Sequence, residues 1–296
     1  MASLIVRLAV RSLPSRARPT VVYTAHGFHF GASEHDGPAE WLFSRSERLA
    51  GRWTDRLIVI NADDLATARR LRLVPPERLC LLPGIGVDLD WYRPTAQVQA
   101  EAQAQRAALG LADDDTLVAM LASLEPRKNH RAVLLALAQL DRTDLHVAFA
   151  GQGPLERALR NQAERLGVAE RVHFLGIVGD VRPLIAASAA TLLPSFREGL
   201  SRAVLESLAM GVPVLGSRVR GIAELVEPGG GVLVDPTDAG ALAAAIDKTA
   251  DDPAACFDGP TVRARLEPYR IEHLLSAHDD LYNTLLAQRR SERNPA

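Results

Sequence analysis

Two glutamates, Glu198 and Glu206, lie eight positions apart in the segment 194–213, which has the sequence PSFREGLSRAVLESLAMGVP. Ionised carboxylates can accept hydrogen bonds from ligand hydroxyl groups or stabilise positive charge that develops on a reacting ligand. Acidic sequences contain glutamates at this spacing by chance, so the pair has weight only through the elements on either side of it.

The elements around the pair are predicted to be those of a parallel α/β sheet. Residues 190–193 form an apolar run typical of a buried strand, which ends at a Pro–Ser pair. Ser201 is a suitable N-cap for the next helix, and Gly211 ends that helix before a strand at 212–215. Glu198 therefore lies on a strand-to-helix loop, where open α/β sheets bind ligands, beside a helix N-terminus suited to phosphate.

These residues resemble the E-x7-E signature of retaining glycosyltransferases with the GT-B fold, in particular glycosyltransferase family 4. The resemblance extends over residues 1–286 and is greatest to the branch that builds capsular, extracellular or lipopolysaccharide sugar chains. Further segments are similar to motifs of that family: a His-containing strand end at 23–28, a Lys-containing loop at 122–129, a G-x-G turn at 150–154, a base-facing segment at 173–176 and a G-x-x-E segment at 220–224.

The resemblance implies an α/β protein of GT-B architecture, in which two Rossmann-like domains with parallel sheets face a cleft and the N-terminal domain is incomplete. The implied parts are a partial acceptor-side domain at 1–92, a nucleotide-sugar-binding domain at 93–270, and a C-terminal helix and tail at 271–296. Residues 91–94 resemble the stretch that crosses between the two domains in the family.

The N-terminal domain departs from the family because the chain begins at what is there an internal helix. Without the family's first strands, the strands at 21–24 and 57–60 are expected to lack neighbours, and apolar helix faces are expected to stay exposed. Either the native chain starts upstream of Met1, or the domain is a degenerate remnant.

The resemblance also implies which residues act in the reaction. The implied catalytic residues are His26 and Glu198, which contact the donor sugar or the reacting region of the acceptor. The implied donor-binding residues are Lys128, Arg127, Gly199, Leu200, Glu206 and Gly176. Same-face attack guided by the leaving phosphate is the favoured mechanism in this fold, so Glu198 is not expected to form a covalent intermediate.

The donor-binding residues suit the chemistry of a nucleoside diphosphate. Lys128 is a point charge after a strand end, suited to stabilise the negative charge that grows as the glycosidic bond breaks. Arg127 assists it, Glu206 accepts hydrogen bonds from the ribose hydroxyls, and Ser123 stands where the family often has another phosphate-binding Arg. Gly199 and Leu200 offer backbone N–H groups. For each of these charged side chains, an alternative interpretation is a solvated surface residue without a role in donor binding.

No cofactor and no metal ion are expected, because the cationic side chain and the helix N-terminus can neutralise the diphosphate. Asp36, Asp88 and His26 do not form a metal-spaced cluster, and the sequence contains no H-x-x-x-H or C-x-x-C pattern. His29 and His130 lie close to the motifs and are expected to be supporting residues.

Composition agrees with a cytoplasmic enzyme and excludes other classes. The 296 residues carry a formal net charge of −2, which gives no general attraction to nucleic acid. Cys80 and Cys256 lie far apart, so they indicate no disulfide framework and fit a reducing compartment. No apolar run reaches the roughly 18 residues that are needed to cross a bilayer.

The first 18 residues contain Arg7, Arg11, Arg16 and Arg18 but no acidic residue. Three interpretations remain open: a targeting peptide, a membrane-surface amphipathic helix, or an ordinary helix of a Rossmann-like domain, which is favoured. Peripheral contact with the inner face of the membrane is compatible with the second interpretation.

Strands and helices alternate along the rest of the chain, as in a parallel sheet covered on both faces. The predicted strands include 56–61, 79–82, 116–122, 145–150, 172–174 and 190–193, and the predicted helices include 40–53, 95–110, 131–140, 155–166, 181–186 and 272–290. Asp63 or Asp64 is expected to cap the helix that ends at Leu71, and 229–231 is expected to form a loop before a strand at 232–234.

Three functions are compatible with these features. The first is a retaining hexosyl- or N-acetylhexosaminyl-transferase that moves a sugar from a nucleotide-sugar donor, expected to be UDP-linked, to a lipid-linked or polysaccharide acceptor. The second is a non-catalytic nucleotide-sugar-binding protein without a complete acceptor domain. The third is an epimerase or phosphorylase-like enzyme of the same double-Rossmann plan. The context of the glutamate pair and the Lys128 loop favour the first over the third, because the fold alone would not separate them.

Overall fold

The computed structural model describes residues 2–28, 30 and 37–293, so the predictions for His29 and Asp36 lie outside the described residues. The chain divides into two compact units. Unit 1 comprises Met1–Gly86 and Pro268–Ala296, and unit 2 comprises Val87–Glu267. Each unit contains a parallel β-sheet with helices, which confirms the predicted α/β class.

Unit 1 contains a three-stranded parallel sheet, whose strands in spatial order are β1 Val22–Ala25, β2 Arg56–Val59 and β3 Leu79–Leu81. Val22 pairs with Arg56, and Leu57 pairs with Leu79. The expectation that the first two strands lack neighbours was wrong. They are each other's neighbours, because a helical crossover between them is sufficient for parallel pairing.

The helices α1 Ala2–Ser12, α2 Pro38–Gly51 and α3 Ala62–Arg70 also belong to unit 1. The N-cap of α3 is Asn61, not Asp63 or Asp64 as predicted: its Oδ1 accepts a hydrogen bond from the Asp64 N–H at 2.7 Å. The helix begins three residues after β2, so Asp64 lies in the first turn. There its carboxylate accepts hydrogen bonds from the Asn61 amide and from the Phe28 N–H.

Apolar side chains of α1 and α2 remain exposed, as expected. Ile5 on α1 is 64% exposed and Leu42 on α2 is 63% exposed. The two helices are joined instead through Arg7, a buried residue whose guanidinium lies 2.6 Å from the Glu47 carboxylate. The basic N-terminal stretch therefore contributes one of its arginines to packing within unit 1.

Unit 2 contains a six-stranded parallel sheet in the order β6–β5–β4–β7–β8–β9, with strands β4 Thr116–Leu121, β5 Leu145–Ala150, β6 Val172–Gly176, β7 Ala190–Leu193, β8 Val214–Ser217 and β9 Gly231–Val234. The chain starts the sheet with the central strand β4 and adds β5 and then β6 on one side of it. It then crosses back to add β7 on the other side of β4, followed by β8 and β9. The strand order therefore reverses between β4 and β7. The crevice outside the carboxyl ends of two such strands is where open α/β sheets bind ligands.

The helices of unit 2 are α4 Ala96–Ala108, α5 His130–Ala138, α6 Glu156–Arg165, α7 Arg182–Ala186, α8 Arg202–Ala209, α9 Ala223–Val226, α10 Ala239–Asp251 and α11 Gly259–Leu266. Ser201 caps α8 as predicted, with its hydroxyl 3.4 Å from the Val204 nitrogen. The predicted loop at 229–231 is one residue shorter in the structure, because Gly231 already pairs with Val214 in β9. The last helix, α12 Ile271–Arg293, belongs to unit 1.

His130 begins α5 as a buried ring in the core of unit 2. Its side chain is 0% exposed, and its ring meets that of Phe149 edge to face, with centroids 4.9 Å apart. Burial, together with the positive charge of Lys128, lowers the pKa of His130 to about 4. The ring is therefore neutral at neutral pH and acts as a packing residue.

This burial predicts an acid sensitivity that the His130→Leu variant lacks. The unfolded chain binds a proton at the imidazole near pH 6.5, whereas the folded chain binds it only near pH 4. Acidification through this interval therefore favours unfolding. Between pH 7.5 and pH 4, the free energy of unfolding should fall by about 3 kcal/mol more in the wild type than in the variant.

Urea unfolding at the two pH values measures this difference. The control is His273→Leu, which makes the same substitution at an exposed position of α12. Equal pH dependence in the wild type and in His130→Leu would mean that the imidazole is not buried as a neutral ring.

Candidate functional site

The loops after β4 and β7 meet at the point where the strand order of unit 2 reverses. The first loop passes through the 3₁₀ turn Pro126–Lys128 into α5, and the second carries Glu198 and leads into α8. The Phe196 N–H donates a hydrogen bond to the Arg127 carbonyl at 2.9 Å and so joins the two loops. Two predicted site segments therefore meet at the ligand-binding edge of the sheet.

Lys128 and Glu198 form an ion pair, in which the ammonium nitrogen lies 2.5 Å from Oε1 of the carboxylate. Both side chains are largely withdrawn from solvent, with exposures of 13% and 8%. Arg127 Nη1 lies 3.7 Å from the other oxygen of Glu198, but this arginine is half exposed and also pairs with Glu125. Glu198 is thus held between two cations, of which Lys128 is the closer and the better buried.

Asn129 fixes the backbone beside Lys128. Its φ of 62° is left-handed, a conformation that Asn adopts more readily than most residues. Its side-chain amide donates hydrogen bonds to the carbonyls of Pro194 at 3.1 Å and Pro236 at 2.8 Å. One buried side chain therefore ties together the loops that follow β4, β7 and β9.

Glu206, the second glutamate of the pair, lies on α8 and is 8% exposed. Its Oε1 accepts a hydrogen bond from the Tyr92 hydroxyl at 2.8 Å. Burial raises the pKa of the Glu206 carboxyl, and the hydrogen bond from Tyr92 opposes that rise. Burial and the adjacent carboxylate raise the pKa of Tyr92, so this phenol stays protonated and serves as the donor.

Tyr92 is a site residue that the sequence analysis missed, because its stretch is interpreted there only as a connection between domains. Its partner lies 114 positions away along the chain, so no local pattern could have revealed the contact. The neighbouring Trp91 has the Arg182 guanidinium 3.3 Å from its ring centroid. These contacts attach the connecting segment to unit 2.

Glycines allow the loops of the site to approach closely. Gly221, in the predicted G-x-x-E segment, has a φ of +74°, and a Cβ there would lie 2.2 Å from the Gly199 carbonyl oxygen. A Cβ at Gly153, in the predicted G-x-G turn, would lie 2.5 Å from the Leu124 carbonyl oxygen. Larger residues at either position would displace the loop that carries Glu198 or the loop that leads to Lys128.

The remaining predicted residues lie in both units. Gly199 and Leu200 directly follow Glu198, and the Leu200 side chain is buried. Gly176 ends β6 with a left-handed φ of 65°. His26 directly follows β1 in unit 1, at the carboxyl end of that strand, and its side chain is exposed.

Among residues 2–28, 30 and 37–293, no group of three or more His, Cys, Asp or Glu side chains is placed to hold a metal ion. Independence from metal ions stays a prediction. In the same part of the chain, none of the helices has the length and apolar character that a membrane crossing requires.

Comparison with known families gives two matches along the chain. Residues 101–269 match the family described as "Glycosyl transferases group 1", and residues 1–84 match the "Glycosyl transferase 4-like domain". The first match covers more than half of the chain and includes both loops of the candidate site. It therefore establishes the family.

Two curated relatives show how much of a longer protein the chain represents. It is 34% identical to the protein named "Putative glycosyltransferase EpsD" of Bacillus subtilis (strain 168). The alignment runs over 258 residues and covers 85% of this chain and 66% of that protein. It is 32% identical to D-inositol 3-phosphate glycosyltransferase of Mycobacterium bovis (strain BCG / Pasteur 1173P2). That alignment runs over 237 residues and covers 77% of this chain and 48% of that protein. The aligned part of the chain thus spans 66% of the first relative and 48% of the second, less than two thirds of either.

A solved structure shares the fold. HepE of Anabaena in complex with UDP superposes with a TM-score of 0.78 at 22% sequence identity, and the alignment covers 97% of this chain and 76% of HepE. This likeness confirms the predicted GT-B class, which is built from Rossmann-like units.

Replacing Tyr92 by Phe should change the ionisation of Glu206. The variant removes the hydroxyl that stabilises the charged carboxylate, so the pKa of Glu206, already raised by burial, should rise further. The free energy of unfolding should fall by about 1–2 kcal/mol, because a buried carboxylate loses its donor. Carbon-detected NMR titration of the Glu206 carboxyl and urea unfolding measure the two effects.

The exposed Tyr282 of α12 provides a matched control, since Tyr282→Phe makes the same chemical change in unit 1. An unchanged Glu206 titration in Tyr92→Phe would show that the 2.8 Å contact does not persist in solution.

Proposed function

We propose a sugar-transfer function for this chain, which belongs to the group 1 glycosyl transferases. The donor is a nucleotide-sugar, UDP-linked, and the acceptor is a lipid-linked or polysaccharide glycan of the cell surface. The sugar is transferred with retention of its anomeric configuration. The single observation that carries the proposal is the buried pair of Lys128 and Glu198 at the reversal of strand order in unit 2.

Lys128 binds the diphosphate of the donor in this proposal. Its ammonium is already positioned at the ligand-binding edge of the sheet, so little reorganisation is needed when a phosphate arrives. As the glycosidic bond breaks, negative charge grows on the leaving diphosphate, and the fixed cation stabilises it. Arg127, which is more exposed, adds a second positive charge from the solvent side.

When the donor is bound, the Lys128 ammonium pairs with the phosphates as well as with Glu198, and the Glu198 carboxylate faces the donor sugar. A buried carboxylate at that place orients sugar hydroxyls or stabilises the positive charge of an oxocarbenium-like transition state. The backbone N–H groups of Gly199 and Leu200 assist in the same loop. The incoming acceptor attacks from the face that the diphosphate leaves, and the enzyme forms no covalent bond to the sugar.

Glu206 binds the ribose hydroxyls of the nucleotide, and Gly176 faces the base. The hydrogen bond from Tyr92 keeps one oxygen of Glu206 oriented and favours its charged state, in which the carboxylate accepts hydrogen bonds. HepE, which shares the fold, was solved in complex with UDP, and this supports a uridine nucleotide as the donor carrier.

His26 acts in turnover more than in donor binding, since it lies in unit 1, to which the proposal assigns the acceptor. The proposal needs no cofactor and no metal ion, because Lys128 supplies the positive charge that a metal would otherwise provide. The proposed location of the protein is the cytoplasm, a reducing compartment that suits the free thiols of Cys80 and Cys256.

Calorimetric titration of the full chain with UDP tests donor binding. The wild type should bind UDP, and Lys128→Ala should weaken binding by about tenfold or more, which corresponds to the loss of roughly 1.4 kcal/mol. Lys248→Ala is the matched control, because Lys248 is an exposed lysine on α10. No measurable heat with the wild type, or equal affinity in Lys128→Ala, would contradict the assignment.

Glu206→Ala and His26→Ala separate binding from turnover. Glu206→Ala should weaken UDP binding, whereas His26→Ala should leave it within about twofold and mainly lower the rate of UDP release from UDP-sugars in the presence of acceptor. An equal loss of UDP affinity in both variants would contradict these roles. Binding without any release of UDP from the wild type would favour the non-catalytic nucleotide-sugar-binding alternative.

A further inference from the structure

Unit 1 contains a groove of about 950 Å³ at the amino ends of its strands. Pro19, Thr20 and Val21 lead into β1 there, and Asp55 and Arg56 stand at the start of β2. The walls come from the last turn of α1 and the C-terminal part of α12. His26 follows the carboxyl end of β1, so the groove and this histidine lie at opposite ends of the same sheet.

Arginine dominates the lining of this groove, which we call the arginine groove. Its arginines are Arg11, Arg16, Arg18, Arg52, Arg56, Arg78 and Arg289. The acidic residue among its lining side chains is Asp55, whose carboxylate already accepts a hydrogen bond from the Val21 N–H at 2.7 Å. Among the described residues, seven guanidinium groups and one carboxylate therefore share one concave surface.

Hydrogen bonds to uncharged oxygens hold several of these guanidinium groups in place. Arg18 donates to the Leu13 carbonyl at 2.8 Å, and Arg289 of α12 donates to the Thr20 hydroxyl at 2.9 Å. Such bonds orient a guanidinium group without neutralising its charge. Both of these guanidinium groups have further N–H donors in a planar fork that matches two oxygens of a phosphate.

A second concave surface of about 650 Å³ continues the positive charge. It shares Arg52 and Arg78 with the arginine groove and adds Arg48, Arg69 and Arg72. The charge is also concentrated at the level of the units. Unit 1 contains 16 arginines and 12 acidic residues, whereas unit 2 contains 18 basic and 24 acidic residues.

Neighbouring like charges in a concave surface repel one another, and their field concentrates anions from solution. Solubility of the protein does not require arginines to be clustered in one concave surface. We infer that the arginine groove binds clustered phosphate groups, as an anchoring site at the end of the sheet that faces away from His26. The inference does not depend on sugar transfer by the protein.

Two sources can supply clustered phosphates, namely the headgroups of anionic phospholipids and a soluble polyphosphorylated anion. Exposed apolar side chains lie on α1, the helix that also supplies Arg11 to the groove: Ile5 is 64% exposed and Leu8 is 45% exposed. Such side chains would enter a lipid surface beside the phosphates. A soluble anion would leave them in water, so the two sources are experimentally separable.

The test compares two double variants of the full chain that change the net charge equally. Arg11→Glu with Arg52→Glu reverses two exposed arginines of the groove, and Arg70→Glu with Arg290→Glu reverses two exposed arginines outside its lining residues. Binding is measured by calorimetry with inorganic tripolyphosphate and by co-sedimentation with vesicles of phosphatidylcholine and phosphatidylglycerol. Phosphatidylcholine vesicles serve as the uncharged reference.

The groove variant should lose roughly tenfold or more in affinity for at least one of the two probes, and rising salt should weaken that binding in the wild type. The control variant should stay within about twofold of the wild type. Loss with vesicles alone assigns lipid headgroups as the source, and loss with tripolyphosphate alone assigns a soluble anion. Loss with both assigns phosphate groups from either source.

Wild-type protein that binds neither probe would overturn the inference, as would equal losses in the two double variants. Tighter binding of a single-stranded oligonucleotide than of either probe would also overturn it, because the groove would then serve a polynucleotide. UDP affinity in unit 2 should be unchanged in the groove variant. That result shows a folded protein, so a failure here stays distinguishable from a failure of donor binding.

Discussion

The ion pair between Lys128 and Glu198 is the contact on which the arrangement of unit 2 depends. It joins the loops of two strands between which the sheet reverses its order, and both partners are largely buried. Removing one partner from such a pair costs about 3–5 kcal/mol, since the other charge stays buried alone. The pair therefore holds the Lys128 ammonium in a fixed position at the candidate site.

The surroundings of the pair explain its position. The side chain of Asn129 binds the loops after β7 and β9, which fixes the backbone next to Lys128. Gly221 permits the backbone of the following segment to lie against Gly199. Tyr92 holds Glu206 from a segment that enters unit 2 before its first strand. The ligand-binding edge is thus built from loops that are each bonded to another loop, which limits the entropy lost when a ligand binds.

Local patterns were sufficient to predict much of this architecture. The strand at 190–193 follows from an apolar run, and the cap at Ser201 follows from a capping residue before a helical pattern. The place of Glu198 on a strand-to-helix loop follows from the rule for parallel sheets, whereas the Lys128 loop entered the predicted site through the family resemblance. The pairing of β1 with β2, the bond from Tyr92 and the arginine groove join residues distant in sequence, and a net charge of −2 conceals the groove. The predicted N-cap of α3 was wrong because Asn61, Asp63 and Asp64 are all residues that favour the N-cap position. The residue at which the helix begins decides between them.

The order of strands in unit 2 also determines when the site can form during synthesis. β4 is made first and can pair with β5 early, but its other neighbour, β7, follows only after β6 and α7. Lys128 must wait for a partner 70 positions further along the chain, and Tyr92 for one that is 114 positions away. Closing such long loops precedes any gain from the contacts. A nascent chain on the ribosome therefore holds half of the unit 2 sheet without a complete candidate site until the segment through Glu206 has emerged.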